Sequence, residues 1–276
     1  MNKKVIFLDI DGTLTEPGSN VPPASALDAI AKAQANGHLV FLCSGRNYGM
    51  LSPLLAYSFD GVVGSSGGYV LSGQEVIYDR PMTKEEQDLA MNTLKECGVF
   101  RTVECLEGSY TDEGFKEFLK SHSGEGANSE LLRWREQIES SLNILPMSNY
   151  DGAPAYKIVF MSDSMERLEK PKAVLSDAFT IVIQEPDAFG FVNGEMQPKA
   201  FDKGTGVRRV MEYLGIPMED SIGFGDSMND LEMMTTVGHS VCMGNGAKAL
   251  KELSDEVCPA VLEDGMYKAF EKLGLF

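Results

Sequence analysis

The stretch Val5 to Thr15, VIFLDIDGTLT, begins as a strand-like apolar run. It breaks on two aspartates one residue apart and turns through Gly12. Side chains at i and i+2 of an extended chain point the same way, so Asp9 and Asp11 converge beyond the strand's C-terminal end if the strand persists that far. Two like charges held that close need a cation, a shared proton or free solvent. The stretch alone leaves a plainer alternative open, in which Asp9 ends a strand and Asp11-Gly12 is an ordinary turn.

Working outward, short apolar runs alternate with helical patterns. Pro23 to Gly37 has apolar residues near 3.6 spacing and a closing glycine, so it reads as a helix. His38 to Arg46, HLVFLCSGR, reads as a second strand ending in a small-residue turn, and Phe59 to Arg80 as a strand and hairpin with Gly73 at its turn. This order predicts a parallel sheet with crossover helices. From Met82 the texture changes. A helix capped by Thr83 and Glu86 is followed by a polar, helix-rich stretch containing Trp134, then strand, helix and strand up to Asp187. The α/β alternation then resumes. The expected architecture is a doubly wound, mostly parallel α/β core formed by 1–81 and 188–276, with an inserted α+β cap domain at 82–187.

Composition narrows the function. At 276 residues, 43% hydrophobic and 24% charged, the chain is that of a soluble globular protein with length for one large domain or two. A net charge of −17 disfavours both nucleic-acid backbones and anionic membranes. The five cysteines are scattered and odd in number, as expected of buried thiols in a reducing cytosol, and no segment is long enough to span a membrane. A cytoplasmic location is expected. His38, His122 and His239 share no metal-ligand spacing, so zinc is not expected.

Strand ends of an open parallel sheet gather at one edge, where ligands bind. Those ends carry Asp9 and Asp11, then Ser44-Gly45, then Asp226, Asn229 and Asp230 in IGFGDSMND. Lys203 stands at a helix start in KGTG. Carboxylates converging there form a hard, oxygen-rich site of the kind Mg²⁺ prefers. Ser44, its neighbouring N–H groups and Lys203 suit a phosphate. Taken singly, each feature also fits a cap, a turn or a solvated helix end.

Four ordered motifs carry a resemblance: DIDGT at Asp9–Thr13, CSGR at Cys43–Arg46, DKG at Asp202–Gly204 and GDSMND at Gly225–Asp230. They resemble the haloacid dehalogenase superfamily, and the inserted α+β region resembles the C2B-type cap of its Cof-type phosphatases. One departure is SSGGYV at Ser65–Val70, where relatives commonly read Asn-Gly-Ala. The resemblance implies Asp9 as nucleophile and Asp11 as general acid and base. It implies Mg²⁺ on Asp9, Asp226 and the Asp11 carbonyl, and phosphate on Ser44, Gly45 and Lys203, with Gly12, Thr13, Asn229 and Asp230 in support. Tyr150 and Lys157, in or beside a Gly/Pro-rich stretch of the insert, are candidates for substrate specificity.

The activity so implied is Mg²⁺-dependent hydrolysis of a small phosphorylated metabolite: a sugar phosphate, a nucleotide or a phosphorylated vitamin. Two alternatives stay open: a phosphomutase or phosphotransferase using the same nucleophile, and a non-catalytic phosphometabolite-binding protein. Nothing in the sequence speaks to oligomeric state.

Overall fold

The computed structural model describes residues 2–115, 144–184 and 191–276, which divide into two compact units. His122, Arg133, Trp134 and Arg135 lie outside the described residues.

The first unit comprises residues 1–46, 51–79 and 201–276. Its eight-stranded sheet runs in the order Glu256–Val257, His239–Cys242, Ser221–Gly225, Val5–Leu8, Leu39–Cys43, Gly61–Gly64, Tyr69–Ser72, Glu75–Asp79. The first six strands are parallel, and the last two each pair antiparallel with the strand before them. Val5–Leu8 is buried on both faces because its side chains alternate between two cores. Ile6 and Leu8 pack with Ala29, Ile30 and Ala33 of the Ala24–Ala35 helix and with Phe270 of the Gly265–Lys272 helix. Val5 and Phe7 pack with Val207, Val210 and Met211 of the Lys203–Leu214 helix and with Met233 and Met234. The chain moves from Val5–Leu8 to one side, then returns to lay Ser221–Gly225 on the other. Strand order thus switches between the two strands that lead into Asp9 and Asp226.

The second unit comprises residues 47–50 and 80–200. Its sheet order is Phe179–Ile183, Val192–Pro198, Ala155–Ser162, Phe100–Cys105, Ser109–Thr111, Ile144–Pro146. One face packs against the Lys84–Glu96 and Glu166–Leu175 helices through Ala90, Leu94, Ile158, Phe160 and Leu168. The capping box forms as expected: Glu86 N–H donates to Thr83 Oγ1 at 3.1 Å and Thr83 N–H to Glu86 Oε2 at 2.7 Å.

The domain boundaries differ from those expected. Val192–Pro198 is hydrogen-bonded between Phe179–Ile183 and Ala155–Ser162, so the chain stays in the second unit to Ala200 rather than leaving it at 187. A strand reading VNGEMQP has little β-forming composition, which hides it in the sequence. Residues 47–50 also join the second unit, where Gly49 N–H donates to Leu106 O at 2.9 Å.

Candidate active site

The site lies within the first unit. Asp9 follows directly on its strand, with its N–H donating to Phe224 O at 3.0 Å, and is 4% exposed. Lys203, 2% exposed, starts the Lys203–Leu214 helix, and Asp202 caps that helix by accepting from Thr205 N–H at 2.6 Å. The cap fixes where the lysine leaves the helix. Its Nζ donates to Asp9 Oδ1 at 2.7 Å and to Asp230 Oδ1 at 2.5 Å. The second oxygen of Asp230 accepts the N–H groups of Asp226 and Ser227 at 3.0 and 3.2 Å. Asp230 therefore ties the lysine to the loop that carries Asp226.

Asp226 accepts from the Thr13 hydroxyl at 3.2 Å. Gly12 has φ +87°, and a Cβ there would stand 2.4 Å from Asp226 Oδ2, so glycine is required both for the turn and for the close approach. Asn229 Oδ1 accepts from Ser227 Oγ at 2.7 Å. Ser44, buried at its strand end, accepts from Arg46 N–H at 3.2 Å through Oγ, and Gly45 follows it in the bend.

Carboxyl oxygens of Asp9, Asp226 and Asp230 lie within 4.8 Å of one another. Burial first, then Asp230, pushes the Asp9 carboxyl up to about 7 against the pull of Lys203. Burial, then Asp9 and Asp230, pushes Asp226 up to about 8. For Lys203, burial alone lowers the pKa, but Asp230 and Asp9 hold it well above the usual lysine value. One ammonium thus bonds two of three clustered acids, Asp9 and Asp230, and the three together are a set of oxygens that suits a hard cation. Both oxygens of Asp230 are already engaged, which leaves Asp9 and Asp226 as the carboxylates fitted to hold a cation.

Two participants had no assigned role in the sequence. Arg46, inside the CSGR motif and buried, donates from Nε to Asp11 Oδ2 at 2.9 Å and from Nη2 to Asp11 Oδ1 at 2.7 Å. Its Nη1 donates to Asn20 Oδ1 at 2.6 Å. Asn245 Nδ2 donates to Gly12 O at 2.7 Å and so braces the turn after the nucleophile candidate. The signal for Asn245 was its place just past another parallel strand end, His239–Cys242.

The Ser65–Gly67 turn ties these parts together. Ser65 N–H donates to Arg46 O at 2.8 Å and Ser66 N–H to Ser44 O at 3.0 Å. Ser65 and Ser66 have φ of 48° and 56°, and a Cβ on Gly67 would meet the Asp202 carbonyl at 2.1 Å.

Tyr150 and Lys157 belong to the second unit. The Tyr150 hydroxyl donates to Ala153 O at 2.7 Å and its ring packs on Tyr110. Lys157 is buried mid-sheet, with Nζ 3.3 Å from Glu104 Oε2 and 3.0 Å from Glu195 Oε2. It is therefore neither an edge lysine nor a solvated one.

Residues 6–270 match the family described as haloacid dehalogenase-like hydrolase. The chain belongs to the haloacid dehalogenase-like hydrolases. Among relatives of this hydrolase, a Bacillus subtilis protein named "Putative phosphatase YkrA" is 28% identical over 100% of this chain and 99% of its own. The HMP-PP phosphatase of Serratia proteamaculans is 28% identical over 91% and 87%. The Bacillus subtilis 5-amino-6-(5-phospho-D-ribitylamino)uracil phosphatase YitU is 24% identical over 95% and 94%. The solved structure of the sugar phosphatase BT4131 shares the fold, with a TM-score of 0.76 and 22% identity over 99% of this chain and 100% of the other. The fold and family expected from the four motifs are those found.

Proposed function

We propose that this hydrolase is a Mg²⁺-dependent phosphatase that acts on a small phosphorylated metabolite through an aspartyl-phosphate on Asp9. The observation that carries the reading is the Asp9–Lys203–Asp230 chain beside Asp226, with Asp11 separately held by Arg46. The full-length similarity to proteins named as phosphatases supports it.

An Asp9 oxygen attacks phosphorus. A P–O bond forms, the bond to the leaving oxygen breaks, and Asp11, once released from the Arg46 pair that holds it ionised, supplies that oxygen with a proton. Asp11 then accepts a proton from water, which attacks the phosphorus and releases Asp9 and inorganic phosphate. Lys203 offsets charge at Asp9 in a buried setting where its field is little screened. Ser44 and Gly45 lie at the neighbouring strand end, the position assigned to phosphoryl oxygens, with Thr13, Asn229 and Asp230 bracing the loops. Mg²⁺, when bound by the carboxylates of Asp9 and Asp226 and the Asp11 carbonyl, neutralises the repulsion between nucleophile and phosphate.

The test is phosphate release from an aryl phosphate and from a panel of metabolite phosphates, with and without Mg²⁺, in the native protein and in Asp9→Asn. Mg²⁺-dependent release lost by at least about a thousandfold in the variant is expected. Release that survives the substitution overturns the nucleophile. Transfer to an added sugar alcohol in place of free phosphate would establish a phosphotransferase instead.

A further inference from the structure

A division between the two units falls on a single peptide bond: Arg46 belongs to the first unit and Asn47 to the second. The guanidinium of Arg46 goes to Asp11. The amide of Asn47, fully buried, goes to the 106–108 turn that joins Phe100–Cys105 to Ser109–Thr111 in the second unit. Its Nδ2 donates to Ser109 Oγ at 3.2 Å and, at a longer 3.4 Å, to Gly108 O. Two residues on, Gly49 N–H donates to Leu106 O at 2.9 Å, and a Cβ on Gly49 would stand 2.1 Å from Glu107 O. The turn is itself closed by Cys105 N–H, which donates to Gly108 O at 2.9 Å. Neighbouring side chains of one short segment thus serve the acid candidate and the second unit.

Helix capping explains only half of what Asn47 does. Its Oδ1 accepts Met50 N–H at 2.9 Å, which caps the Tyr48–Leu55 helix. Serine or aspartate would cap that helix as well. Asparagine adds an amide donor on the same group, and here the donor is committed to the second unit's turn. The backbone of Arg46 is meanwhile held by the first unit, its N–H donating to Ser44 Oγ at 3.2 Å and its carbonyl accepting from Ser65 N–H at 2.8 Å. Arg46 therefore sits between two anchors. Consecutive Cα atoms are fixed about 3.8 Å apart, so a shift at position 47 reaches the root of the guanidinium directly.

We propose that Asn47 is a positioning residue, through which the hairpin turn of the second unit sets the grip of Arg46 on Asp11. The kinetic consequence rests on the phosphatase reading, in which Asp11 is the acid; the mechanical link does not. That grip has to aim Asp11 and also to release it for proton transfer. A two-point bond between guanidinium and carboxylate is geometrically demanding, and a misplacement of about 1 Å can cost about a hundredfold in rate. Loss of the Asn47 anchor therefore disturbs delivery of the proton more than attack by Asp9, whose partner Lys203 stands on the separate Lys203–Leu214 helix.

The experiment compares the full chain with two variants. Asn47→Ser keeps a cap for Met50 N–H but is too short to reach the turn. Ser109→Ala is milder and lies wholly in the second unit, so any effect on Arg46 has to travel through Asn47. The first readout is the NMR signal of Arg46 Nε–H, assigned by its absence in Arg46→Lys. Both variants are expected to move it, Ser109→Ala by less. The second readout is kinetic. Asn47→Ser should lower kcat/KM about tenfold on glycerol phosphate and less than about threefold on nitrophenyl phosphate, whose leaving oxygen needs no proton. In an Arg46→Lys background the same substitution should cost less than about twofold, because residues that act as a unit are not additive. An Arg46 signal unmoved in both variants overturns the proposal. So do equal losses on the two esters, or losses that add fully to those of Arg46→Lys, either of which would reduce Asn47 to a helix cap. A native chain that releases no phosphate would count against the phosphatase reading instead, and the Arg46 signal would still decide the link.

Discussion

The Arg46 guanidinium grips both carboxylate oxygens of Asp11, at 2.9 and 2.7 Å, while Gly18 N–H donates to Oδ1 at 2.9 Å. The carboxylate two residues beyond the nucleophile candidate is thus aimed by a planar fork, itself steadied by Asn20. A lysine cannot reproduce that two-point grip.

Arg46→Lys should therefore damage protonation of the leaving oxygen more than it damages attack. Alkyl phosphates, whose leaving oxygen needs a proton, should lose about a hundredfold in kcat/KM, whereas a nitrophenyl phosphate should lose less than about tenfold. Steady-state kinetics on the two substrate types decides it. Equal losses would mean that Arg46 serves only the fold.

Removal of metal should expose the crowding of the acids. The folded pKa values of Asp9 and Asp226, about 7 and 8, lie above the ordinary 3.8, so between about pH 4 and 8 the folded chain holds protons the unfolded chain has released. Stability of the metal-free protein then falls as pH rises through that window, while the gain in Tm on adding Mg²⁺ grows. His38, with its pKa lowered, acts in the opposite direction below about 6.5, so the comparison is with Asp226→Asn, which should flatten the decline. Calorimetric Tm against pH in EDTA checks it. The same slope in both proteins would rule out the carboxylate cluster as its source.

Gly12→Ala places a Cβ against Asp226 on a backbone at φ +87°. A cost of about 1–3 kcal/mol is expected, with weaker Mg²⁺ binding alongside. Denaturant unfolding and titration calorimetry measure the two. Wild-type values for both would show that the loop moves aside at no cost.

Lys157→Met should strand Glu104 and Glu195 in the second unit. Loss of one partner from a buried ion pair costs about 3–5 kcal/mol, and adding Glu104→Gln should return part of it. Urea unfolding of the three proteins is the measurement. A single variant within about 1 kcal/mol of wild type would show that the ion pair contributes little.

The first unit was largely legible because its parallel strands are buried on both faces and read as unbroken apolar runs, VIFL and LVFLC, with polar residues gathered just past their ends. The same rule placed Asp9, Ser44 and Asp226. Strands of the second unit gave no such signal. Phe100–Cys105 carries Arg101, Thr102 and Glu104 into buried positions, where Asp112, Thr111 and Lys157 respectively meet them. Charges that are acceptable only because of partners elsewhere in the chain look, in the sequence, like surface. Arg46 was obscured for a related reason: its meaning lies in a contact with Asp11, and no local pattern encodes that contact.

The Ser65–Gly67 turn carries no reactive group, yet its two N–H groups hold the carbonyls of Ser44 and Arg46, and its glycine lies flush against Asp202 at the base of the lysine helix. Positions 67 and 202 are thereby bound to drift together. Bulk gained at the first must be answered by backbone withdrawal at the second, and the ammonium would travel with it. A search for inactive variants confined to charged residues would pass over this turn, although a single methyl group there would press on the backbone that carries the cation paired with Asp9.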